Sequence, residues 1–279
     1  MRYPSLICNT TNMLANASPA ERLLLGALLA GVVSLGARRA GALDRSGAVA
    51  ATVAGAAATA AGWRWAALLI AYFVATSALS RVGAARKAER TGDVVAKGGA
   101  RDWWQVGANG GVFAFAAIAS AFAGPSWTWS ALAAGSLAAA AADSWGTEIG
   151  TLAGRPPRSI LTLRAVPTGT SGGVTLHGWL ATIAGAAFIG GLAWAFGWEG
   201  RIAVAAAAGG VAGAFVDSLI GALLQVRRRC PRCDLATERV IHRCGAPTEI
   251  SGGLTWLDND AVNLACALAG GLLAVLFAR

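Results

Sequence analysis

Eight apolar segments, separated by short polar connections, make up most of this chain. A transmembrane helix needs about 20 predominantly apolar residues to cross a hydrocarbon core of about 30 Å, and tilt and close packing widen that range. The segments are rich in small residues, with 37 glycines among 279 residues, and the mean hydropathy is +0.56. The sequence therefore predicts an all-α, polytopic membrane protein with about eight transmembrane helices, over residues 23–37, 46–62, 65–79, 106–124, 128–145, 174–197, 202–224 and 261–278.

The chain is expected to form one membrane domain over residues 21–279, preceded by a polar segment over residues 1–20. That segment has no apolar run behind a charged start, so no cleavable signal peptide is predicted and the first apolar helix is expected to direct membrane insertion. The connection over residues 225–258 is expected to be a loop on the cytoplasmic side.

The basic residues predict the orientation. Eighteen of the 23 Lys and Arg residues lie in four alternate connections, within residues 38–45, 81–101, 155–164 and 227–243. Basic connections stay cytoplasmic, so we expect a multi-pass protein of the cell membrane with both termini outside and its active face inside. Attraction of these cations to anionic lipid headgroups is the alternative explanation for most of them.

Carboxylates lie at the cytoplasmic ends of three segments. Asp143 and Glu148 are at the end of the fifth, Asp217 is inside the seventh, and Asp258 and Asp260 open the eighth. An ionisable group at membrane depth is costly and usually faces a polar cavity, a partner or an ion. Mg²⁺ takes one or two carboxylates and leaves its other positions to water and substrate oxygens, so these acids are candidate magnesium ligands. Two alternatives stay open: Asp217 pairs with an Arg of a neighbouring helix, and the last two acids are helix N-caps.

A short motif occurs twice in similar surroundings. Asp143 is followed 28 residues later by Ser171-Gly172-Gly173, and Asp217 is followed 34 residues later by Ser251-Gly252-Gly253. The order of helix, loop and Gly-Gly turn predicts a parallel internal repeat, with Asn109-Gly110-Gly111 as a partial third copy. Gly-Gly at a helix start exposes backbone N–H groups that bind anions, whereas packing through small residues is the competing explanation.

Basic side chains accompany these turns. Arg101, Arg155 and Arg158 lie in the predicted cytoplasmic connections, and Arg grips phosphate with two parallel hydrogen bonds. They predict a phosphorylated substrate whose tail lies in lipid. The sequence contains no phosphate-binding P-loop and no kinase glycine-rich loop with its partner motifs, which excludes the soluble nucleotide-binding folds that use them.

One connection carries a metal-binding pattern. Cys230, Cys233, His242 and Cys244 follow the spacing C-x2-C, eight residues, H-x-C. Zinc takes three thiolates and one imidazole in structural sites, so a zinc knuckle that pins this loop is predicted, with free thiols as the alternative.

Five ordered motifs carry a family resemblance that extends roughly from Asp44 to the end of the chain. They are RDWWQVGANGGV (101–112), ADSWGTEIG (142–150), VPTGTSGGVTLHG (166–178), VDSLIGALLQ (216–225) and WLDNDAVN (256–263). On these motifs the chain resembles a membrane family, long catalogued as a domain of unknown function, that includes the chloroplast phytyl-phosphate kinase of tocopherol synthesis. The resemblance implies transfer of the γ-phosphoryl group of CTP or ATP to a phytyl or prenyl monophosphate, which gives the diphosphate.

That reaction assigns roles to the candidate residues. The catalytic set is Asp143, Glu148, Asp217 and Arg101, and the magnesium ligands are Asp143, Glu148, Asp217 and Asp260. Phosphate and substrate would be bound by Asn109, Gly110, Gly111, Arg155, Arg158, Thr170, Ser171, Gly172, Gly173, Ser218, Asn259 and Asn263. The expected partners are the isoprenyl phosphate, the nucleotide and membrane lipids, and not nucleic acid.

Two other functions fit part of the pattern. Parallel repeats and intramembrane carboxylates are also features of transporters, so a lipid or isoprenoid-phosphate flippase is one alternative. A cytidylyltransferase acting on the same lipid phosphates is the other. The outer halves of the segments are almost purely apolar, which favours an enzyme over a carrier.

Overall fold

The structure is a computed structural model that describes residues 18–96 and 98–279. Most of the predicted polar segment over residues 1–20 lies outside the described residues. The described part forms nine helices: α1 (Pro19–Arg39), α2 (Arg45–Ala61), α3 (Trp63–Arg81), α4 (Ala84–Thr91), α5 (Trp103–Ala123), α6 (Trp127–Leu152), α7 (Leu176–Ala195), α8 (Gly200–Leu223) and α9 (Asn259–Phe277). Its five short strands are β1 (Arg158–Ser159), β2 (Gly173–Val174), β3 (Arg227–Cys230), β4 (Leu235–Thr237) and β5 (Glu249–Gly252).

Side-chain caps fix where several helices begin. Asp44 accepts the N–H of Gly47 at 2.7 Å, and Thr175 accepts the N–H of Gly178 at 3.0 Å. Asp258 accepts the N–H of Ala261 at 2.9 Å, so the N-cap interpretation of this acid is confirmed. The first N–H groups of a helix have no partner inside the helix, and these caps satisfy some of them at the membrane boundary.

Each predicted apolar segment corresponds to one of the eight helices other than α4. Six of these, α1, α3, α5, α7, α8 and α9, are long and apolar enough to cross a membrane. Helix α2 is short, at 17 residues, and α6 is alanine-rich and carries Asp143 and Glu148. The multi-pass membrane architecture is therefore confirmed, and the total of eight spans stays a prediction.

Helix α6 lies at the centre of the bundle. It contacts α3, α4, α5, α7, α8 and α9, and residues 131–142 are all buried. A helix surrounded by protein does not need lipid-facing apolar side chains, which explains its modest hydropathy. Large side chains such as Leu28, Val32 and Val204 are instead exposed on peripheral faces, where lipid would contact them.

The loops gather at one end of the bundle. The backbone of Arg101 bonds to Ala42 and Asp44, and the Arg90 guanidinium bonds to the carbonyls of Thr151 and Ala153. We call this end the loop face and define it as residues 40–44, 82–96, 98–102, 153–175 and 224–258. At the opposite end the connections are short, and Arg64 and Arg201 close them by bonding to the carbonyls of Gly197 and Ala278.

Two small sheets lie on the loop face. Strand β1 pairs with β2, and β3 pairs with both β4 and β5, all antiparallel. The second sheet belongs to the connection between α8 and α9, which carries the Cys/His motif. The predicted α-helical class is confirmed, since these strands are short and lie outside the helices.

Small residues bring α6, α8 and α9 into close contact. A Cβ added at Gly270 of α9 would overlap Ala139 Cβ and lie 2.9 Å from the carbonyl oxygen of Gly135, both on α6. A Cβ added at Gly213 of α8 would lie 2.8 Å from Ala139 Cβ and from the carbonyl oxygen of Cys266. Membrane helices commonly associate through such residues, because backbones can then approach closely.

Replacing Gly270 with alanine is expected to destabilise the bundle, because the added methyl group must push α6 and α9 apart. Overpacking of this kind costs about 1–3 kcal/mol. The matched control is Gly191→Ala in α7, where nothing lies within 4 Å of the added Cβ. We expect a lower midpoint of thermal unfolding in detergent for Gly270→Ala and an unchanged or higher one for Gly191→Ala. Equal midpoints would contradict this description of the packing.

Candidate functional site

A polar cavity of about 610 Å³ opens at the loop face. Helices α3, α4, α5, α6 and α8, the segment 168–175 and the connection between α8 and α9 all contribute to its wall. Its polar and charged lining includes Lys87, Arg101, Gln105, Asn109, Asp143, Glu148, Thr170, Ser171, Asp217, Ser218, Gln225, Glu238, Asn259 and Asn263. The structure thus brings together most of the side chains that the sequence singled out from separate connections.

Asp143 and Asp217 both line this cavity. They lie on the adjacent helices α6 and α8, and their carboxylates interact electrostatically. Within residues 18–96 and 98–279 neither forms an ion pair with Lys or Arg, and the Oδ2 atom of Asp217 is buried without a hydrogen-bond partner. A neighbouring Arg therefore does not neutralise Asp217 in the described chain. Two such carboxylates fit the donor set of Mg²⁺, which would keep its other positions for water and phosphate.

Glu148 has protein partners on both oxygens. Its Oε1 atom accepts the Ser80 hydroxyl at 2.5 Å, and Oε2 pairs with the Lys87 ammonium group. Lys87 is itself buried and donates to the carbonyl oxygens of Leu79 and Ser80. The structure therefore gives Glu148 a cationic partner, and its predicted coordination of magnesium would require that pair to open.

Arg101 and Asn109 lie on the side of the cavity nearest α5. The Arg101 guanidinium is half-buried and makes a long hydrogen bond of 3.4 Å to the Ser77 hydroxyl. The Asn109 amide N–H donates to the carbonyl oxygen of Gln105 at 2.9 Å, and Asn109 lines the cavity. A guanidinium held this weakly can bind an anion without breaking a strong protein contact.

The Ser171-Gly172-Gly173 turn lines the cavity, although its geometry differs from the prediction. Gly172 has φ +74°, and a Cβ there would lie 2.8 Å from the carbonyl oxygen of Ser218, so glycine permits close packing against α8. The N–H of Gly173 donates to the Thr170 carbonyl at 2.9 Å, and α7 begins only at Leu176. Packing explains Gly172, and the Gly173 N–H is already bonded.

Several other predicted site residues, four of them predicted to bind phosphate and one to bind magnesium, do not line the polar cavity. Gly110 and Gly111 lie inside α5, where their N–H groups belong to the helix, so the predicted backbone cradle there is wrong. Arg158 is exposed and donates to the Leu163 carbonyl at 2.8 Å, and Arg155 is exposed in the loop after α6. Asp260, which is 2% exposed, lies in the first turn of α9 and does not line the cavity.

A second cavity, of about 870 Å³, lies among α1, α2, α3 and α5. Its wall is mostly apolar and includes Leu25, Leu29, Val33, Ala51, Ala67, Ile70 and Phe73. Four residues line both cavities, namely Arg101, Gln105, Asn109 and Ser144. The polar and apolar cavities therefore meet at these four side chains.

The Cys/His motif forms a compact cluster beside the polar cavity. The ligand atoms of Cys230, Cys233, His242 and Cys244 all lie within 4.8 Å of one another. Cys244 Sγ is 3.6 Å from Cys230 Sγ and 3.3 Å from His242 Nδ1. Tetrahedral zinc, with Zn–S of about 2.3 Å and Zn–N of about 2.0–2.1 Å, would separate two sulfurs by about 3.8 Å and sulfur from nitrogen by about 3.6 Å. The four residues fit a structural zinc ion.

The thiols of the cluster differ in acidity. The hydrogen bond from His242, aided by the backbone N–H of Ala246, lowers the pKa of Cys244 to about 6. The hydrogen bond between Cys233 and Cys244 raises the pKa of Cys233 to about 11, and burial and a hydrogen bond with Cys230 act in the same direction. Without metal, Cys244 therefore holds the thiolate at neutral pH.

Alkylation of metal-stripped protein tests this difference. At pH 7.5 iodoacetamide is expected to modify Cys244 before Cys233, although Cys233 is the more exposed, because the thiolate is the reactive form. The Cys244 rate should fall as the pH drops through about 6. Peptide mass spectrometry follows both sites, and faster modification of Cys233 would contradict the assignment.

These features define the class: a polytopic membrane protein with an acid-lined cavity at one end and, beside it, an apolar cavity among its helices that shares four lining residues with it. The chain belongs to the family described as "Integral membrane protein DUF92", which matches residues 28–271. The expected membership of a membrane family of this kind is thus confirmed.

Two relatives cover nearly the whole chain. "Protein PGR" of Arabidopsis thaliana is 29% identical over 282 residues, which span 92% of this chain and 96% of that protein. An uncharacterized membrane protein of Methanocaldococcus jannaschii is 29% identical over 257 residues, which span 91% of this chain and 94% of that protein. No solved structure matches.

Proposed function

We propose that the protein is an isoprenyl-phosphate kinase that transfers the γ-phosphoryl group of CTP or ATP to a prenyl or phytyl monophosphate. The observation that carries this proposal is the junction of the two cavities at Arg101, Gln105, Asn109 and Ser144. An acceptor with a charged head and a long apolar tail fits a polar cavity that lies beside an apolar one, with four side chains common to both walls. The family resemblance of the sequence motifs supports the same reaction.

The chemistry requires positioning more than acid–base catalysis. A phosphate monoester is largely dianionic near neutral pH, because its second pKa is about 6, so it needs no strong base to act as a nucleophile. An oxygen of this phosphate attacks the γ-phosphorus, the bond from that phosphorus to the β–γ bridging oxygen breaks, and the nucleoside diphosphate leaves. Such transfers depend on alignment and charge neutralisation.

The residues around the cavity can supply both. Asp143 and Asp217 would hold Mg²⁺, which neutralises the phosphate oxygens when bound. Arg101 would bind the acceptor phosphate where the apolar cavity begins, and Asn109 would orient it. Ser218, Asn259 and Asn263 also line the polar cavity and would bind the nucleotide phosphates. By the positive-inside rule the loop face would lie in the cytoplasm, where nucleotides are available.

Labelled nucleotides distinguish the candidate functions. Purified protein is incubated with Mg²⁺, a panel of prenyl phosphates and CTP or ATP that carries the label at either the α or the γ position. Transfer of γ-label into lipid supports the kinase, and transfer of α-label indicates a cytidylyltransferase. No transfer with any pairing by a folded protein would overturn both enzymes and leave the flippase.

Asp217→Asn is expected to reduce kcat by at least 100-fold, the scale of losing one electrostatic contact to the transition state. Because Asp217 Oδ2 has no protein partner among the described residues, the thermal midpoint should be unchanged or higher. Asp258→Asn is the matched control, since asparagine caps a helix as well as aspartate does. An active Asp217→Asn enzyme would remove this residue from the site.

Filling the apolar cavity should change the chain-length preference. Ala51→Phe places a large ring among the lining residues, whereas Val53→Phe on the same helix projects outward from a position that is 64% exposed. We expect Ala51→Phe to raise KM for phytyl phosphate at least tenfold and to leave KM for a five-carbon prenyl phosphate nearly unchanged. Equal effects on both substrates, or equal effects of both variants, would contradict the assignment of the tail to this cavity.

A further inference from the structure

The connection between α8 and α9 does more than cover the bundle, because it inserts a carboxylate into the polar cavity. Glu238 follows β4 directly and lines the cavity together with Asp217. Its Oε1 atom accepts the Ser171 hydroxyl at 2.6 Å and the Gln225 amide at 2.8 Å. Burial raises the pKa of Glu238, and its charge acts on Asp217.

Glu238 joins three parts of the loop face. Through Ser171 it holds the segment that carries Gly172, and through Gln225 it holds the end of α8. Its own N–H donates to the carbonyl of Val94 at 2.7 Å, and the neighbouring Thr237 hydroxyl donates to the same oxygen at 3.2 Å. Glu238 therefore links the Ser171 segment to the end of α8 and to the connection that carries the Cys/His cluster.

The Cys/His cluster surrounds Glu238 in the sequence. Cys230 and Cys233 lie in the β3–β4 hairpin before it, and His242 and Cys244 follow it. An ion bound by all four residues closes a loop around Glu238 and fixes both of its ends.

The tip of the hairpin is exposed and the sheet around it is small. Residues 231–236 are all exposed, and the strands of this sheet contain four, three and four residues. Sheets this small, without an apolar face of their own, are marginally stable in water. Metal binding to such a segment contributes directly to its folding free energy.

We propose that zinc in the Cys230/Cys233/His242/Cys244 cluster positions Glu238, and that Glu238 in turn holds the Ser171 segment in the polar cavity. Glu238 is then a positioning residue of the active site, and the cluster is a metal-dependent part of that site. The effect on turnover rests on the proposed kinase function, whereas the effects on metal content and on the Ser171 segment do not.

The test compares three perturbations of the full-length protein: Glu238→Ala, Cys233→Ser, and removal of metal from the wild type with a chelator. Metal content is measured by mass spectrometry, and backbone hydrogen exchange is measured over residues 168–175. Glu249→Gln is the matched control, because Glu249 is an exposed glutamate of the same connection. Using both a variant and chelation of folded protein separates loss of metal from failure to fold.

We expect one zinc ion per chain in the wild type. All three perturbations should increase exchange of residues 168–175 at least tenfold and lower kcat/KM by a similar factor, while Glu249→Gln changes neither. Glu238→Ala should retain its zinc. Since both changes act on one contact, the double variant should be no worse than either single variant.

Three results would overturn the proposal: no bound zinc, unchanged exchange of residues 168–175 after metal removal, or additive effects of Cys233→Ser and Glu238→Ala. If the wild type transfers no phosphate but zinc removal still exposes residues 168–175, the proposed function fails and the positioning of the Ser171 segment stands.

Discussion

Two carboxylates, those of Asp143 and Asp217, lie on adjacent helices of an apolar bundle, where their negative charge must be compensated. Asp143 and Asp217 interact electrostatically, and Asp217 has one buried oxygen without a partner in the described part of the chain. Removing charge from water is costly unless a cation or hydrogen bonds compensate it. The arrangement is therefore suited to a divalent cation, and the polar cavity around it provides room for water and phosphate.

The helix packing keeps these carboxylates close. Gly213 lies on α8, one turn before Asp217, and meets Ala139, one turn before Asp143 on α6. Larger residues at this contact would separate the helices and with them the two acids. The alanine and glycine content that predicted a membrane protein also determines the spacing of the site.

The sequence predicted the helices well and singled out the two acids that line the cavity, and it predicted contacts between loops poorly. Apolar segments are local signals, and an acid such as Asp217 inside one of them is conspicuous without a structure. Glu238 and Lys87 lie in polar connections, where charged residues are common, so only the fold reveals that one reaches the cavity and the other pairs with Glu148. Gly110 was misinterpreted because a glycine pair inside a helix has the same sequence as one in a turn.

We propose that Asp143 and Asp217 together hold a divalent cation that contacts phosphate. Manganese can replace magnesium at oxygen sites and is paramagnetic, so electron–nuclear double resonance on protein with Mn²⁺ and a non-hydrolysable nucleotide measures it directly. We expect one bound Mn²⁺ with a phosphorus coupling, and loss of that signal in both Asp143→Asn and Asp217→Asn. An unchanged signal in either variant would contradict it.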